Sequence, residues 1–344
     1  MEPMFIFSNI WLGFIFLSLV TIQFEYNYSG IIYILTLCLI ASLVNLCIGF
    51  LMADNSVENK VIDFNIKKSS FFLIGTVLLG MLVPILNMRL NGFSINNFFD
   101  FNSFLEMNNQ MAVNRYSGVH KTSTSLQILM VFEYFSPIVG GYHFASTENK
   151  STKIIGLIGF LPAVCNILVQ NTKSELLSCI FLFMSTVIIA NIYLNKKIHV
   201  KIRTIVRIIL VVLGTVSGLI VTMLFRIGTI NEQNIQTVLN KFLVYAFGHI
   251  PVFDEWIKNY QGLSEYGFGT KTFIGIFNVL GLSERIQGVY SEYIYVEGFP
   301  ANVYTVFRGM IEDFGVVGSV LFFVVIAGVI SFGYYSLAKK NHIY

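Results

Sequence analysis

Eight uninterrupted apolar runs, each of roughly 20 residues, constrain this chain more than any other feature. They occupy residues 3–22, 30–52, 69–88, 126–146, 154–170, 176–194, 204–225 and 314–336. A helix of that length crosses the hydrocarbon core of a bilayer, and continuous runs differ from the alternating pattern of a membrane β-barrel. Only 12% of the residues are charged and 55% are hydrophobic, which excludes a soluble enzyme, a disordered chain and a nucleic-acid binder. We predict an all-α polytopic membrane protein with about eight transmembrane helices, and more if loop segments re-enter the membrane.

The basic residues are concentrated on one side of the predicted membrane. With the N-terminus inside, 12 Lys and Arg residues fall in about 40 inner positions and 10 in about 136 outer positions. Cytoplasmic loops carry such an excess of Lys and Arg. We therefore predict cytoplasmic termini and a single membrane domain, 1–344, with two long outer loops, 89–125 and 226–313.

Arginine is distributed differently from lysine. Five of the seven Arg residues are predicted to lie outside, namely Arg89, Arg115, Arg226, Arg285 and Arg308. The planar guanidinium can bind phosphate or carboxylate through two parallel hydrogen bonds, whereas lysine is sufficient to set topology. This distribution favours anion recognition on the outer face, although seven Arg residues are a small sample.

The loop 226–313 has short apolar segments of helical character, and long loops with structure of their own are usually functional. Near its end, helical spacing puts Arg308 and Glu312 on one face. That pair could hold a sugar or a phosphate at the mouth of the last span. The alternative is an ordinary salt bridge at a helix entry.

Other residues of this loop could take part in chemistry. His249 follows a glycine and precedes a proline, with Asp254 close behind, and an imidazole suits general acid–base catalysis. The alternative for His249 is a helix cap. Tyrosines are frequent between Tyr245 and Tyr304; such rings stack on sugars, but they also anchor membrane interfaces.

Glu133 is predicted to lie inside the fourth span, about a third of the way from the outer side. An ionisable group at that depth is expected to be functional or to pair with a cation. Lys173, Arg115 and Arg226 are the alternatives for that cation. No set of His, Cys, Asp and Glu has metal-ligand spacing and no nucleotide motif is present, so we expect neither a metal nor another cofactor.

Four segments of the chain resemble the O-antigen polymerases, the Wzy-type polymerases of oligosaccharide repeat units. They are NRYSG at 114–118, NTKSE at 171–175, GHIPVFDEW at 248–256, and the stretch from Asn302 through Arg308 to DFG at 313–315 and Gly318. Members often carry Arg where this chain has Lys173. They also usually have one or two further spans after the large loop, so the resemblance suits a short member or a truncated product.

The resemblance implies a glycosyltransferase of the lipid-linked, GT-C-like type with a large helical periplasmic loop. Such an enzyme joins undecaprenyl-diphosphate-linked repeat units on the periplasmic face of the bacterial inner membrane, as a step of surface polysaccharide and lipopolysaccharide synthesis. Its expected partners are those lipid-linked oligosaccharides, membrane lipid, a chain-length regulator (a polysaccharide co-polymerase) and a flippase. No nucleic acid is involved.

The resemblance also implies residue roles. Arg115, Arg226 and Arg308 would neutralise the leaving diphosphate, and His249 would be the base, with Asp254, Glu312 and Asp313 as rivals. The remaining expected substrate contacts are Lys173, Asn302, Tyr304 and Glu133.

Two other functions remain open. One is an O-antigen ligase, a sibling enzyme with a lipid A–core acceptor. The other is a flippase or transporter of lipid-linked sugars, although transporters usually have repeated halves and a binding site at the bilayer midplane, and neither feature is evident in this sequence.

Overall fold

The protein was analysed as a computed structural model. The structure describes residues 2–52, 66–116, 122–170, 173–194, 232–262, 265–282, 292–302 and 304–340, together with the single positions 206, 210, 214, 217 and 290. About 81% of the structure is helical, which confirms the predicted all-α class.

Twelve α-helices are present in the described residues. They are α1 (Pro3–Thr21), α2 (Ser29–Met52), α3 (Ile66–Leu90), α4 (Phe101–Tyr116), α5 (Thr124–Ser146), α6 (Lys150–Leu157), α7 (Leu161–Gln170), α8 (Lys173–Tyr193), α9 (Glu232–Phe247), α10 (His249–Lys258), α11 (Ile274–Val279) and α12 (Val306–Lys340). Short 3₁₀ turns cover Ile95–Phe98 and Ile158–Phe160, and two strands, β1 (Ile294–Val296) and β2 (Phe299–Ala301), form an antiparallel hairpin.

Six of the described helices are long and apolar enough to cross a membrane. They are Pro3–Thr21, Ser29–Met52, Lys68–Leu90, Lys150–Gln170, Glu175–Tyr193 and Val306–Leu337, and they correspond to six of the eight predicted runs. The run 126–146 lies in α5 but is not among these six helices. The run 204–225 falls almost wholly outside the described residues, so the predicted count of eight is met only in part.

The chain divides into two compact units. The first comprises Met1–Ser56, His199–Ile274 and Gly288–Lys339; the second comprises Val57–Ile198, Gly275–Gln287 and Lys340–Tyr344. Each unit therefore combines segments that are distant in the sequence.

In the second unit, α3, α5, α7 and α8 pack together, and α5 also packs on α6. The backbones of α5 and α6 touch directly at Gly140 and Gly156. A Cβ on Gly156 would lie only 2.7 Å from the carbonyl oxygen of Gly140. Small residues allow this close approach where lipid offers no hydrophobic drive for helix association.

In the first unit, α1, α2, α10 and α12 enclose one apolar core. Its fully buried side chains include Ile34, Leu37, Phe253, Phe307 and Ile311. Helix α12 is interrupted at Gly315, whose φ of 71° and ψ of 174° are not helical. That conformation is accessible in practice only to glycine, so α12 consists of a short segment before Gly315 and a long one after it.

Candidate functional site

The hairpin β1–β2 brings the chain back on itself just before α12. Its turn residues Glu297 and Gly298 both have positive φ, 50° and 78°, as the tight two-residue turn of a hairpin requires. As a result Tyr304 lies beside Glu292, and the Tyr304 hydroxyl donates to the Glu292 carbonyl at 3.4 Å. Asn302 donates in the same way to the carbonyl of Tyr290 at 3.4 Å.

Arg308, in the first turn of α12, is buried among aromatic rings with 4% of its surface exposed. Its guanidinium carbon lies 3.9 Å from the ring centre of Tyr290, 4.0 Å from that of Tyr304 and 5.0 Å from that of Trp256. A cation over ring faces is attracted by their quadrupoles, more strongly when water is excluded. We call Trp256, Tyr290 and Tyr304 the aromatic cage of Arg308.

Two carboxylates bind the caged guanidinium. Nε of Arg308 donates to Glu312 at 2.8 Å and Nη2 donates to Glu292 at 2.9 Å. The pair predicted by helical spacing, Arg308 with Glu312, is therefore formed. Since one cation faces two anions, this cluster of three side chains has a net charge of −1.

Some polar atoms of this region are buried without a hydrogen-bond partner among the described residues. They include Nη1 of Arg308, the hydroxyl of Tyr260 and the hydroxyl of Thr305. An unpaired buried donor costs about 1–3 kcal/mol, so these groups are costly to the folded state as it stands.

A cavity of about 500 Å³ opens beside the aromatic cage, within the first unit. Its aromatic lining comes from Trp256, Tyr260, Tyr293 and Tyr304. Its polar lining comes from Asn259, Gln261 and Glu292. Small-molecule sites have this size and this mixture of ring faces with a few polar groups.

Burial affects the ionisation of the tyrosines around the cavity. It raises the pKa of Tyr290, Tyr304 and Tyr260 above the ordinary value for a phenol, because the phenolate loses solvation. These hydroxyls therefore stay protonated at neutral pH, and that of Tyr304 donates to the Glu292 carbonyl.

No protein-family model, curated protein or solved structure matches this chain. The resemblance to O-antigen polymerases accordingly stays a prediction from the four sequence segments.

Asp254, one of the predicted bases, is fully buried and bound to backbone. Its carboxylate accepts the N–H groups of Asn27 at 2.8 Å, Tyr28 at 3.1 Å and Gly30 at 2.7 Å. The first N–H groups of a helix have no partner within the helix itself. Asp254 supplies that partner at the start of α2 and so caps a helix that lies more than 200 positions away in the sequence. This geometry favours a structural role over that of a general base.

Asp313 is also fully buried and bound to backbone. Its carboxylate accepts the N–H of Lys271 at 3.0 Å and of Thr272 at 2.6 Å. Because α12 breaks at Gly315, the last carbonyls before the break have no partner within the helix. The backbone carbonyl of Asp313 is one of them, and it accepts the N–H of Phe268 at 3.1 Å. Asp313 therefore anchors the 267–272 segment to α12, which again favours a structural role.

His249, the predicted base, begins α10 and lies in an aromatic slot of α1. Its ring meets Phe14 edge-on at 4.9 Å and Trp11 at 5.9 Å. Burial lowers the pKa of His249 to about 4, so the imidazole is neutral at pH 7 but only weakly basic. A base is most effective when its pKa is near the working pH, and this weakens the case for His249.

Glu133 is fully buried on α5 in the second unit. Asn166 donates to both of its carboxylate oxygens at 3.3 Å and to Glu175 at 2.7 Å. Asn87 in turn donates to Asn166 at 3.1 Å. Among the described residues, the partner of Glu133 is thus an amide that is shared with a second carboxylate.

The three cations proposed as partners of Glu133 cannot be placed. The side chains of Arg115 and Lys173, and the whole of Arg226, lie outside the described residues. Within the described part of the chain, no group of three or more His, Cys, Asp or Glu residues could hold a metal ion.

Sequence reasoning missed Glu292 entirely, and it treated Trp256, Tyr260 and Tyr290 only as members of an aromatic-rich loop. Glu292 precedes the hairpin and has no helical spacing relation to Arg308, so no local pattern marks it. The available signal was the turn-forming pair Glu297–Gly298, which predicts that residues on either side of it come together.

Proposed function

We propose that this chain is a membrane glycosyltransferase of the O-antigen polymerase type, which joins lipid-linked oligosaccharide repeat units on the periplasmic face of the bacterial inner membrane. The observation that carries the proposal is the cavity lined by four aromatic rings, two of which, Trp256 and Tyr304, belong to the aromatic cage of Arg308. Ring faces stack on the apolar faces of sugars, while amide and carboxylate groups bind hydroxyls. The apolar helices suit a substrate held on a lipid.

The proposed reaction forms one glycosidic bond and breaks one bond to diphosphate. A hydroxyl of the acceptor sugar attacks the anomeric carbon of the donor glycan and loses its proton to a base. The bond between that carbon and the diphosphate oxygen breaks, and undecaprenyl diphosphate leaves with the electron pair. The diphosphate already activates the donor, so no nucleotide is needed.

Glu292 is the carboxylate best suited to accept the proton. It lines the cavity, and 67% of its side chain is exposed, so an acceptor hydroxyl can reach it. Arg308 binds one of its oxygens at 2.9 Å, which orients the carboxylate. Asp254 and Asp313, by contrast, are buried with their oxygens bound to backbone N–H groups.

The leaving diphosphate needs cations that are not already neutralised. Arg308 faces two carboxylates, so we assign it to orienting Glu292 and the glycan rather than to the diphosphate. Arg115 and Arg226 remain the proposed diphosphate ligands.

The test is complementation of a host strain that lacks this gene. Loss of a polymerase leaves a single repeat unit on the lipid A core, whereas loss of a ligase leaves none, and loss of a flippase leaves lipid-linked units on the cytoplasmic side. We expect the first pattern, reversed by the unaltered chain. Synthesis of polymer by the purified protein from lipid-linked repeat units would establish the reaction, and either of the other two patterns would contradict the proposal.

A further inference from the structure

We propose that the cavity beside Arg308 selects uncharged sugars and rejects acidic ones, so that the sugar held there is a neutral or N-acetylated hexose rather than a uronic acid. This inference rests on the proposed function, because it takes the cavity to hold the glycan on which the enzyme acts.

The first argument is charge. Among the described residues that line the cavity, Glu292 is the single charged side chain. The cation behind it, Arg308, is shared between Glu292 and Glu312, which leaves the cluster at −1. The neighbouring Asp313 and Lys271 add one charge of each sign, so the sum does not change. A sugar carboxylate in this cavity would therefore meet a like charge, and the described residues that line the cavity include no cation to compensate it.

The second argument is the pattern of hydrogen-bonding groups. The lining offers the amides of Asn259 and Gln261, each of which both donates and accepts. The buried hydroxyl of Tyr260 has no partner in the described part of the chain. Sugar hydroxyls and N-acetyl groups can pair with both the donors and the acceptors of these amides, whereas a carboxylate only accepts and would leave the amide oxygens without a donor.

The third argument is the geometry of the wall. The rings of Trp256 and Tyr260 lie 5.1 Å apart with an angle of 39° between their planes. Both line the cavity, and together they offer an apolar surface on which a pyranose ring can stack. Stacking of this kind depends on C–H groups and not on charge, so the discrimination between neutral and acidic sugars comes from Glu292.

Binding can be measured on the full-length protein in detergent. The chain has two tryptophans, so Trp11→Phe leaves Trp256 as the reporter of the cavity. The ligands are a tetrasaccharide that alternates glucuronic acid with N-acetylglucosamine and the same tetrasaccharide with its carboxyl groups reduced to hydroxymethyl groups. The two differ only at C6 of the uronic acid residues, where a hydroxymethyl group replaces the carboxylate. Calorimetry on the unaltered protein provides the same comparison without the Trp11 substitution.

We expect the reduced tetrasaccharide to bind saturably and the acidic one to bind about tenfold more weakly at low salt. The difference should shrink in 1 M NaCl, where the screening length is only about 3 Å. Glu292→Gln should strengthen binding of the acidic ligand and bring the two affinities together, whereas Glu265→Gln, the same change at an exposed position outside the lining, should leave their ratio unchanged.

Equal or tighter binding of the acidic tetrasaccharide would overturn the inference, as would the absence of any saturable binding of the reduced one. Failure of this inference can be told apart from failure of the proposed function. If the protein prefers the neutral ligand but makes no polymer, the polymerase function is rejected and the selectivity of the cavity stands. If it makes polymer without that preference, the polymerase function stands and the selectivity is rejected.

Discussion

Glu292 and Arg308 meet at 2.9 Å across a hairpin that separates them by 16 positions. The contact joins a side chain that lines the cavity to one that is buried inside an aromatic cage. Because the guanidinium also binds Glu312 at 2.8 Å, the position of the Glu292 carboxylate is coupled to the first turns of α12.

Arg308→Lys tests the planar cation. Lysine keeps the charge but cannot stack flat between Tyr290 and Tyr304 or bind both carboxylates with a rigid fork. We expect polymer synthesis to fall by about 100-fold or more, with protein still present in the membrane. Lys258→Met is the matched control, because Lys258 is an exposed cation that pairs with Glu255 at 3.5 Å and should be dispensable. Full-length polymer from Arg308→Lys would remove this residue from the site.

Glu292→Gln tests the proposed base. A general base contributes about 10²- to 10⁴-fold to a rate, so we expect kcat to fall by that order while KM changes little. The free energy of unfolding should be nearly unchanged because the side chain is largely exposed. Single-turnover assays with purified lipid-linked units measure the rate, and Glu265→Gln serves as control. An unaltered kcat would show that another group takes the proton.

Asp254→Asn separates a structural from a catalytic role. The substitution removes the charge that receives three N–H groups at the start of α2. We expect the free energy of unfolding to fall by about 1–3 kcal/mol, as measured by denaturation in detergent. Activity per folded molecule should be retained, and a loss of activity with unchanged stability would restore Asp254 as a catalytic candidate.

The pH dependence of stability tests the environment of His249. Its pKa is about 4 in the folded protein and about 6.5 in the unfolded chain. Between these values the unfolded state binds the proton more tightly, so stability falls as pH falls from about 6.5 to about 4, by at most about 3 kcal/mol. Above pH 6.5 this residue contributes no pH dependence.

Thermal unfolding at a series of pH values measures that effect. His249→Phe keeps an aromatic ring against Phe14 and Trp11 and should reduce the loss of stability in acid. The same variant also tests the imidazole as base, because unchanged turnover would end its candidacy for that role.

Gly315→Ala tests the break in α12. The φ of 71° and ψ of 174° at this position are strained for any residue with a Cβ. A Cβ would also lie 3.0 Å from the ring of Tyr266. We expect a loss of about 1–3 kcal/mol in the free energy of unfolding, whereas Gly333→Ala, in the same helix with open space around it, should cost nothing. Equal stability of the two variants would contradict the strained break.

The sequence alone determined the features that depend on neighbouring residues. Apolar runs of a given length predict helices wherever they lie, and i,i+4 spacing brings Arg308 to Glu312 whatever the rest of the chain does. The six apolar helices and that ion pair follow from such local patterns.

Only the tertiary structure decided which polar residues share a site. His249 was the predicted base and Asp254 a rival, yet Asp254 caps α2 and His249 lies in an aromatic slot of α1. Glu292 has no helical spacing relation to Arg308, and only the folded hairpin brings it to Arg308 and the cavity. The physical reason is that the burial and the hydrogen-bond partners of a polar group depend on segments far away in the chain. The separation of such segments along the sequence follows no periodic pattern, so it cannot be read from the sequence.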